Sequence, residues 1–539
     1  MERNQIEIFD TTLRDGAQGE GISFSARDKL ALTEALDELG VMWIEAGNPG
    51  SNPKDAEFFK QAAQMRLANA KVCAFGSTRR KGVPAREDGQ LAQLLSAETE
   101  TVVIFGKSSA LHVTEVLRAS LAENLDMIYE SVEFLRGEGR TVFFDAEHFF
   151  DGIAQDGEYA LKSLRAAAEA GAARLILCDT NGGSFPGEVS AGVLKAAAAV
   201  RELTLGPEAG AGVGEKPLLG IHAHNDSGLA IACSLAAVEA GCAQVQGTLL
   251  GFGERCGNAC LAALIPSLEL KMGLRCLPEG NLSRLTSISR KAAEISNRAL
   301  VDDTPYIGAR AFSHKAGMHA DAILKVNHSF EHVDPSLVGN SRRFLMSEQG
   351  GKAAIAERAR EFDAAIDKNH PAIETLSRRL KTLEAEGWAF EGADASFEIL
   401  LCKELGLYTS FFDVIAFRVQ SEYPAGKLLD CCHAWVKVLV SGQYEMAAAE
   451  GDGPVNALDG ALRRGLLRFY PELAKVRLTD YKVRVIDGKD ATAAKVRVLI
   501  ESSDGDTSWT TVGVSADVIA ASCLALVDSI AYNLNRANS

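Results

Sequence analysis

His222 and His224 are separated by one residue in the run Gly220-Ile221-His222-Ala223-His224-Asn225-Asp226. Leu218 to Ile221 read as the end of a buried strand, and Asn225-Asp226-Ser227-Gly228 as the turn leaving it. Side chains alternate with period two along a strand, so the two imidazoles point the same way. Imidazoles that converge at a strand end, next to polar turn residues, suit a divalent metal. A histidine pair alone is more often structural. A second run near the N-terminus, Asp10-Thr11-Thr12-Leu13-Arg14-Asp15-Gly16, supplies carboxylates and a guanidinium and gives the pair a chemical context.

From residue 4 to about 250, short β-rich runs alternate with long alanine- and leucine-rich helical stretches. The strand candidates are 5–9, 42–46, 71–75, 101–105, 141–145, 174–178, 218–222 and 243–248, each followed by a plausible helix. Eight such units predict a (β/α)8 TIM barrel. An open doubly wound sheet competes, but it would show a glycine-rich phosphate loop after the first strand, and Asp10–Gly16 is not one. In a barrel the chemistry sits just past the strands' C-terminal ends. Polar residues fall there in phase: Arg14 and Asp15, Glu45, Ser77, Lys107 and Ser109, Glu147, Asp179-Thr180-Asn181, then His222 and His224. The last strand leads into Gly251-Phe252-Gly253-Glu254-Arg255-Cys256-Gly257-Asn258.

Beyond about residue 270 helical patterns dominate (282–300, 351–367 and 372–386), with a loop-like stretch over 301–343. Strands are expected at 396–402, 412–421 and 434–440 with a helix over 454–469, then at 480–486, 494–501 and 507–512 with a helix over 516–535. The domain division is therefore a catalytic barrel over 1–272, a helical connector over 273–392, and a C-terminal α+β regulatory domain over 393–539 with an internal βββα repeat. Gly451-Asp452-Gly453-Pro454 at the first of these helix starts is either a small-anion site or a plain capping turn.

At 539 residues one compact core is too little for the chain, and 47% apolar with 24% charged residues is ordinary for a soluble globular protein. A net charge of −16 argues against a nucleic-acid partner. No apolar run reads as long enough for a membrane span, and residues 1–9 lack the pattern of a signal peptide, so a cytoplasmic location is expected. The eleven cysteines show no paired zinc-ribbon spacing and read as reduced, mostly buried thiols.

The two polar runs together resemble the family of isopropylmalate, homocitrate and citramalate synthases and their lyase relatives, and the C-terminal repeat resembles the regulatory domain of its synthases. Phe144-Asp145-Ala146-Glu147-His148-Phe149-Phe150-Asp151-Gly152, Cys178-Asp179-Thr180-Asn181-Gly182-Gly183 and Val338-Gly339-Asn340-Ser341-Arg342-Arg343 look like the long citramalate synthase subgroup. The resemblance implies a divalent metal (Mn, Mg, Zn or Co) held by Asp15, His222 and His224, with Asn258 as an additional ligand and Asp10 as the alternative carboxylate. It implies a Claisen condensation of acetyl-CoA with a small 2-oxo acid, pyruvate in the preferred reading, then thioester hydrolysis, in isoleucine biosynthesis.

In that chemistry Arg14 stabilises the developing alkoxide or binds the oxo acid, its plainer role being an ion pair with Glu45 or Glu147. Thr180 binds the substrate carboxylate or is a turn hydroxyl, and Glu45 and Ser109 complete the substrate-binding set. Glu147 orients the base or takes the proton, or else pairs with Arg14; His148 and Asp151 can stand in for it. His319 and Asp321 match family positions that activate acetyl-CoA or water, reaching over a neighbouring subunit's barrel in a homodimer. His112 and His314 are weaker candidates, and some relatives carry a tyrosine downstream whereas this chain has Phe330 and Phe344 in the nearby segments. Phe75, Phe105 or Phe144 would close a pocket around pyruvate's methyl. The C-terminal domain implies a branched-chain amino-acid effector. The alternatives are an isopropylmalate synthase acting on 2-oxoisovalerate, a homocitrate synthase, a lyase, and a non-catalytic amino-acid sensor.

Overall fold

The computed structural model describes residues 4–50, 52–205, 217–315, 317–344, 351–421, 432–486, 494–505 and 507–537. They pack as two compact units, 1–312 with 333–341, and 313–332 with 342–539.

In the first unit eight parallel strands close in sequence order: β1 (Glu7–Asp10), β2 (Trp43–Glu45), β3 (Lys71–Ser77), β4 (Thr101–Lys107), β5 (Thr141–Glu147), β6 (Arg174–Asp179), β7 (Leu218–Ala223) and β8 (Gln244–Gly247). β8 pairs back with β1, Phe9 opposite Gln246, which excludes the open sheet. Helices fill the connections. The first, Ala26–Leu39, opens on a capping box between Ser25 and Asp28 and closes on Gly40 at φ 95°, where a Cβ would collide with Pro278.

Strand parity decides what each side chain does. Phe9, Trp43, Cys73, Val103 and Phe143 point inward and form a buried floor cluster, with Trp43 edge-on to Phe143 at 5.0 Å. Their neighbours, among them Ile8, Ile44, Ile104, Phe144 and Leu177, belong to the larger core beneath the helices. Each fully buried side chain of this kind contributes roughly 1.5–3 kcal/mol. Phe144 is thereby corrected: it is an outward core residue and cannot close a pocket inside the barrel.

In the second unit the stretch read as loop contains a helix, Gly317–Lys325, and a short parallel pair, β9 (Ser313–His314) with β10 (Arg343–Phe344). Two three-stranded antiparallel sheets follow: β11 (Asp413–Ser421), β12 (Cys432–Val440) and β13 (Gln443–Gly451), then β14 (Arg477–Val485), β15 (Val496–Ser503) and β16 (Ser508–Ser515). Helices Pro454–Leu467 and Val518–Ala537 each cover one sheet, which is the βββα repeat.

Its first pass differs from expectation. Residues 396–402 are not a strand but lie in helix Asp394–Leu405, closed by Gly406 at φ 71°. Phe397 and Leu401 pack into one core, and Ala395 and Ile399 into another. A helix buried on two sides carries a near-continuous apolar run, which periodicity alone cannot tell from a strand. The missing strand is β13, whose alanines and glutamates gave little β signal. Helix Val518–Ala537 also has the length and composition of a membrane span, which the reading of apolar runs missed; over half of that window is buried in the unit's own core.

Candidate active site

At the C-terminal mouth of the barrel, inward positions of five strands, β3 to β7, and the loops after β1, β6, β7 and β8 line a cavity of about 260 Å³. Asp15 comes from the turn after β1, where both oxygens of Asp10 accept from Thr12, from its N–H at 2.9 Å and its hydroxyl at 2.8 Å. Asp10 therefore holds the turn and stays out of the metal-ligating group. Burial pushes its carboxyl up to about 7, against the pull of the Thr12 hydrogen bonds.

Asp15, His222 and His224 meet. Asp15 Oδ2 lies 3.4 Å from His222 Nε2 and 3.6 Å from His224 Nε2, and the rings stand edge to face at 5.0 Å. The opposite ring nitrogens are engaged: His222 Nδ1 lies 2.9 Å from Gln246 Oε1, and His224 Nδ1 lies 2.7 Å from the Thr180 carbonyl oxygen. Those acceptors place the protons on Nδ1 and leave both Nε2 lone pairs aimed at one point. Among the described residues this is the group of three or more potential ligands whose donor atoms lie within 4.8 Å of one another.

Two buried acceptors without a hydrogen-bond partner, Asp15 Oδ1 and Asn258 Oδ1, add to the case for a cation. Asn258 is held beside His224 by a backbone bridge and donates its amide to the Phe252 carbonyl. The donor set of imidazole, carboxylate and amide oxygen fits a divalent ion of the first transition row or magnesium. Burial opposes the charge on Asp15, but the Arg14 guanidinium and the two imidazoles outweigh it and hold the carboxyl well below its usual range.

Arg14 sits over Phe75, its guanidinium carbon 3.7 Å from the ring centre, and Phe75 stacks on Phe105 at 5.5 Å. Its Nε donates to Glu45 at 2.5 Å and its Nη1 to Asp15 at 3.2 Å. Burial disfavours the guanidinium's charge, yet Glu45 and Asp15 more than compensate and its pKa rises. Glu45 is fully buried and also accepts from Thr11 at 2.6 Å, so it fixes Arg14 from behind. Glu147 lines the cavity but pairs with Lys107, not with Arg14. Thr180 lines it too. Its hydroxyl oxygen accepts from the His148 N–H at 2.8 Å, which leaves the hydroxyl proton available.

Other candidates are placed elsewhere. Ser109 is fully buried, its hydroxyl donating to Gln155, and does not reach the cavity wall. His148 pairs with Asp151 at 2.9 Å and stacks on His112 at 3.6 Å. His319 and Asp321 belong to the second unit, on helix Gly317–Lys325. There His319 stacks on Phe330 at 4.1 Å, and Asp321 pairs with Lys325 at 2.5 Å. His314 binds Glu331 at 3.0 Å, in an ion pair shared with Arg342.

Sequence reasoning gave no role to Asp145, Cys178 or Gln18, which also line the cavity. Asp145 was findable, since it shares strand parity with Glu147. Burial, then the Glu45 charge, pushes its carboxyl well above the ordinary range.

Residues 5–291 match the HMGL-like family, residues 306–387 the homocitrate synthase post-HMGL domain-like family, and residues 391–534 the LeuA allosteric (dimerisation) domain. The (R)-citramalate synthase of a Synechocystis species is 48% identical, covering 99% of this chain and 97% of that protein. Its counterpart from Aquifex aeolicus is 47% identical, covering 98% of each. A probable 2-isopropylmalate synthase of Methanopyrus kandleri is 30% identical, also over 98% of each. Among solved structures, hydroxymethylglutaryl-CoA lyase from Pseudomonas aeruginosa is 19% identical with a TM-score of 0.45, covering 60% of this chain and 98% of that one.

Proposed function

The chain belongs to the HMGL-like family and, within it, to the citramalate synthases, and on that premise we propose that it condenses acetyl-CoA with pyruvate and hydrolyses the thioester to give (R)-citramalate and CoA. The observation that carries the reading is the convergence of Asp15 with the two Nε2 atoms of His222 and His224 at the barrel mouth. With Asn258 these residues would hold a divalent cation, which when bound supplies Lewis-acid polarisation of the keto group.

The protein's own side chains do the rest. Arg14 spends Nε on Glu45 and one Nη on Asp15, and offers the remainder of its fork to the cavity it lines. That fork suits the pyruvate carboxylate and the oxygen that gains charge as the keto carbon is attacked. Thr180 donates its free hydroxyl proton to the same carboxylate. The stacked rings of Phe75 and Phe105 form an apolar wall suited to a methyl group. Glu147, at the rim with Lys107, takes part in removing the acetyl methyl proton. His319 and Asp321 activate acetyl-CoA and then the hydrolytic water, supplied to the barrel of a second copy of the chain in a homodimer.

We read the chain as a catalytic barrel over 1–272, a connector over 273–392 and a regulatory domain from 393 onward, the last binding a branched-chain amino acid. The effector proposed is isoleucine; turnover unaffected by isoleucine would reject that choice. The functional assignment is tested by supplying acetyl-CoA with pyruvate, 2-oxoisovalerate or 2-oxoglutarate and analysing the products. Citramalate from pyruvate is expected to dominate. A higher kcat/KM for 2-oxoisovalerate would make the protein an isopropylmalate synthase instead.

A further inference from the structure

A line of buried amides runs from His222 down the inside of the barrel to its floor. His222 Nδ1 lies 2.9 Å from Gln246 Oε1, Gln246 Nε2 lies 3.4 Å from Gln244 Oε1, and Gln244 Nε2 lies 2.9 Å from Glu7 Oε2. Glu7 is gripped by Arg174 at 2.7 and 3.0 Å and by the Trp43 indole N–H at 3.2 Å. Both glutamines are fully buried, and Glu7 and His222 nearly so. They occupy inward positions on β1, β7 and β8, two of them on successive inward positions of β8.

The chain has a direction. A carboxylate forked by a guanidinium only accepts, whereas an amide has one donating and one accepting end. Glu7 therefore turns the Gln244 NH2 toward the floor and its oxygen upward. That oxygen takes an N–H from Gln246. Gln246 Oε1 is then left facing His222, which must carry its proton on Nδ1 and present a bare Nε2 to Asp15. His224 needs no such relay, because a backbone carbonyl fixes its tautomer.

We propose that Gln246 and Gln244 are positioning residues that transmit the polarity of the Glu7–Arg174 pair, at the far end of the barrel, to the tautomer of His222 and so to the affinity of the site for its metal. The proposal rests on Asp15, His222 and His224 being metal ligands.

The test is calorimetric titration of Mn2+ into metal-free full-length protein, with circular dichroism and melting temperature recorded for each variant. Gln246→Leu is expected to bind Mn2+ about 10- to 100-fold more weakly than the parent. Gln246→Glu keeps an acceptor facing His222 and should recover most of that loss. Glu7→Gln lets the lower amide reverse, so it should weaken binding several-fold from a position remote from the ion, and it carries the test if Gln246→Leu does not fold. A purely structural role would lower the melting temperatures and leave the Kd for Mn2+ at the parent value in folded Glu7→Gln and Gln246→Leu, which overturns the relay. Failure of the metal reading looks different, since the parent itself would then bind no Mn2+.

Discussion

Glu45 Oε2 sits 2.5 Å from Arg14 Nε, and the glutamate is completely sealed from solvent while the arginine faces the cavity. A guanidinium needs a fixed orientation to offer two parallel donors, and this one is held by Glu45 at its edge and Phe75 beneath it. Glu45→Gln removes the charge and keeps the shape. Breaking a buried pair of this kind costs about 3–5 kcal/mol of stability, and misaligning the fork should lower kcat on the order of a hundredfold. Steady-state kinetics with pyruvate checks this. A variant with parent kcat would show that Arg14 needs no such support.

Phe105 should tune the choice of oxo acid. It forms the cavity wall without touching Arg14 in the way Phe75 does. Phe105→Val opens space for a larger alkyl group. One methylene is worth roughly 1–3 kcal/mol of discrimination, or 10- to 200-fold. The ratio of kcat/KM for 2-oxoisovalerate to that for pyruvate should rise by at least about tenfold. An unchanged ratio would place the specificity wall elsewhere.

Asp10 gives the protein an identifiable pH dependence. Its carboxyl titrates near 7 when folded, against an ordinary value near 3.8, because it is buried. Below about pH 4 both states hold the proton. Between about 4 and 7 the folded state retains a proton that the unfolded chain has released, so this group's contribution to stability falls as pH rises, by up to about 1.4 kcal/mol per unit. Above 7 the contribution is flat. Urea unfolding of Asp10→Asn should therefore show a shallower decline across that window than the parent. Parallel curves would contradict the assignment.

Phe397 ties helix Asp394–Leu405 into the core beneath it. Phe397→Ala should cost about 3–5 kcal/mol and lower the melting temperature accordingly, while an exposed helix would tolerate the change.

The barrel was legible because each strand end repeats the same phase, apolar inside the strand and polar just beyond. That phase located Arg14, Asp15, Glu147, Thr180, His222 and His224 without any contact information. The misses have physical causes. Phe144 lies between two inward residues, Phe143 and Asp145, and a composition-led choice of aromatic walls ignored that parity. Ser109 follows β4 but turns into the barrel wall toward Gln155. Gln244 and Gln246 sit in a four-residue strand and match no motif, so only their hydrogen bonds reveal them. In the C-terminal domain the repeat was readable from its helices, but a helix buried on two sides passed for a strand. His319 and Asp321 rest on resemblance alone, because local pattern says nothing about which barrel they serve.

Condensation as proposed depends on one cation held by Asp15, His222 and His224. CoA release from acetyl-CoA and pyruvate, followed before chelation, after chelation and after Mn2+ is restored, tests it most directly. Release that stops on chelation and returns with the metal in the parent, but does not return in His224→Ala, is the predicted result. Undiminished pyruvate-dependent release from the chelated protein would contradict it.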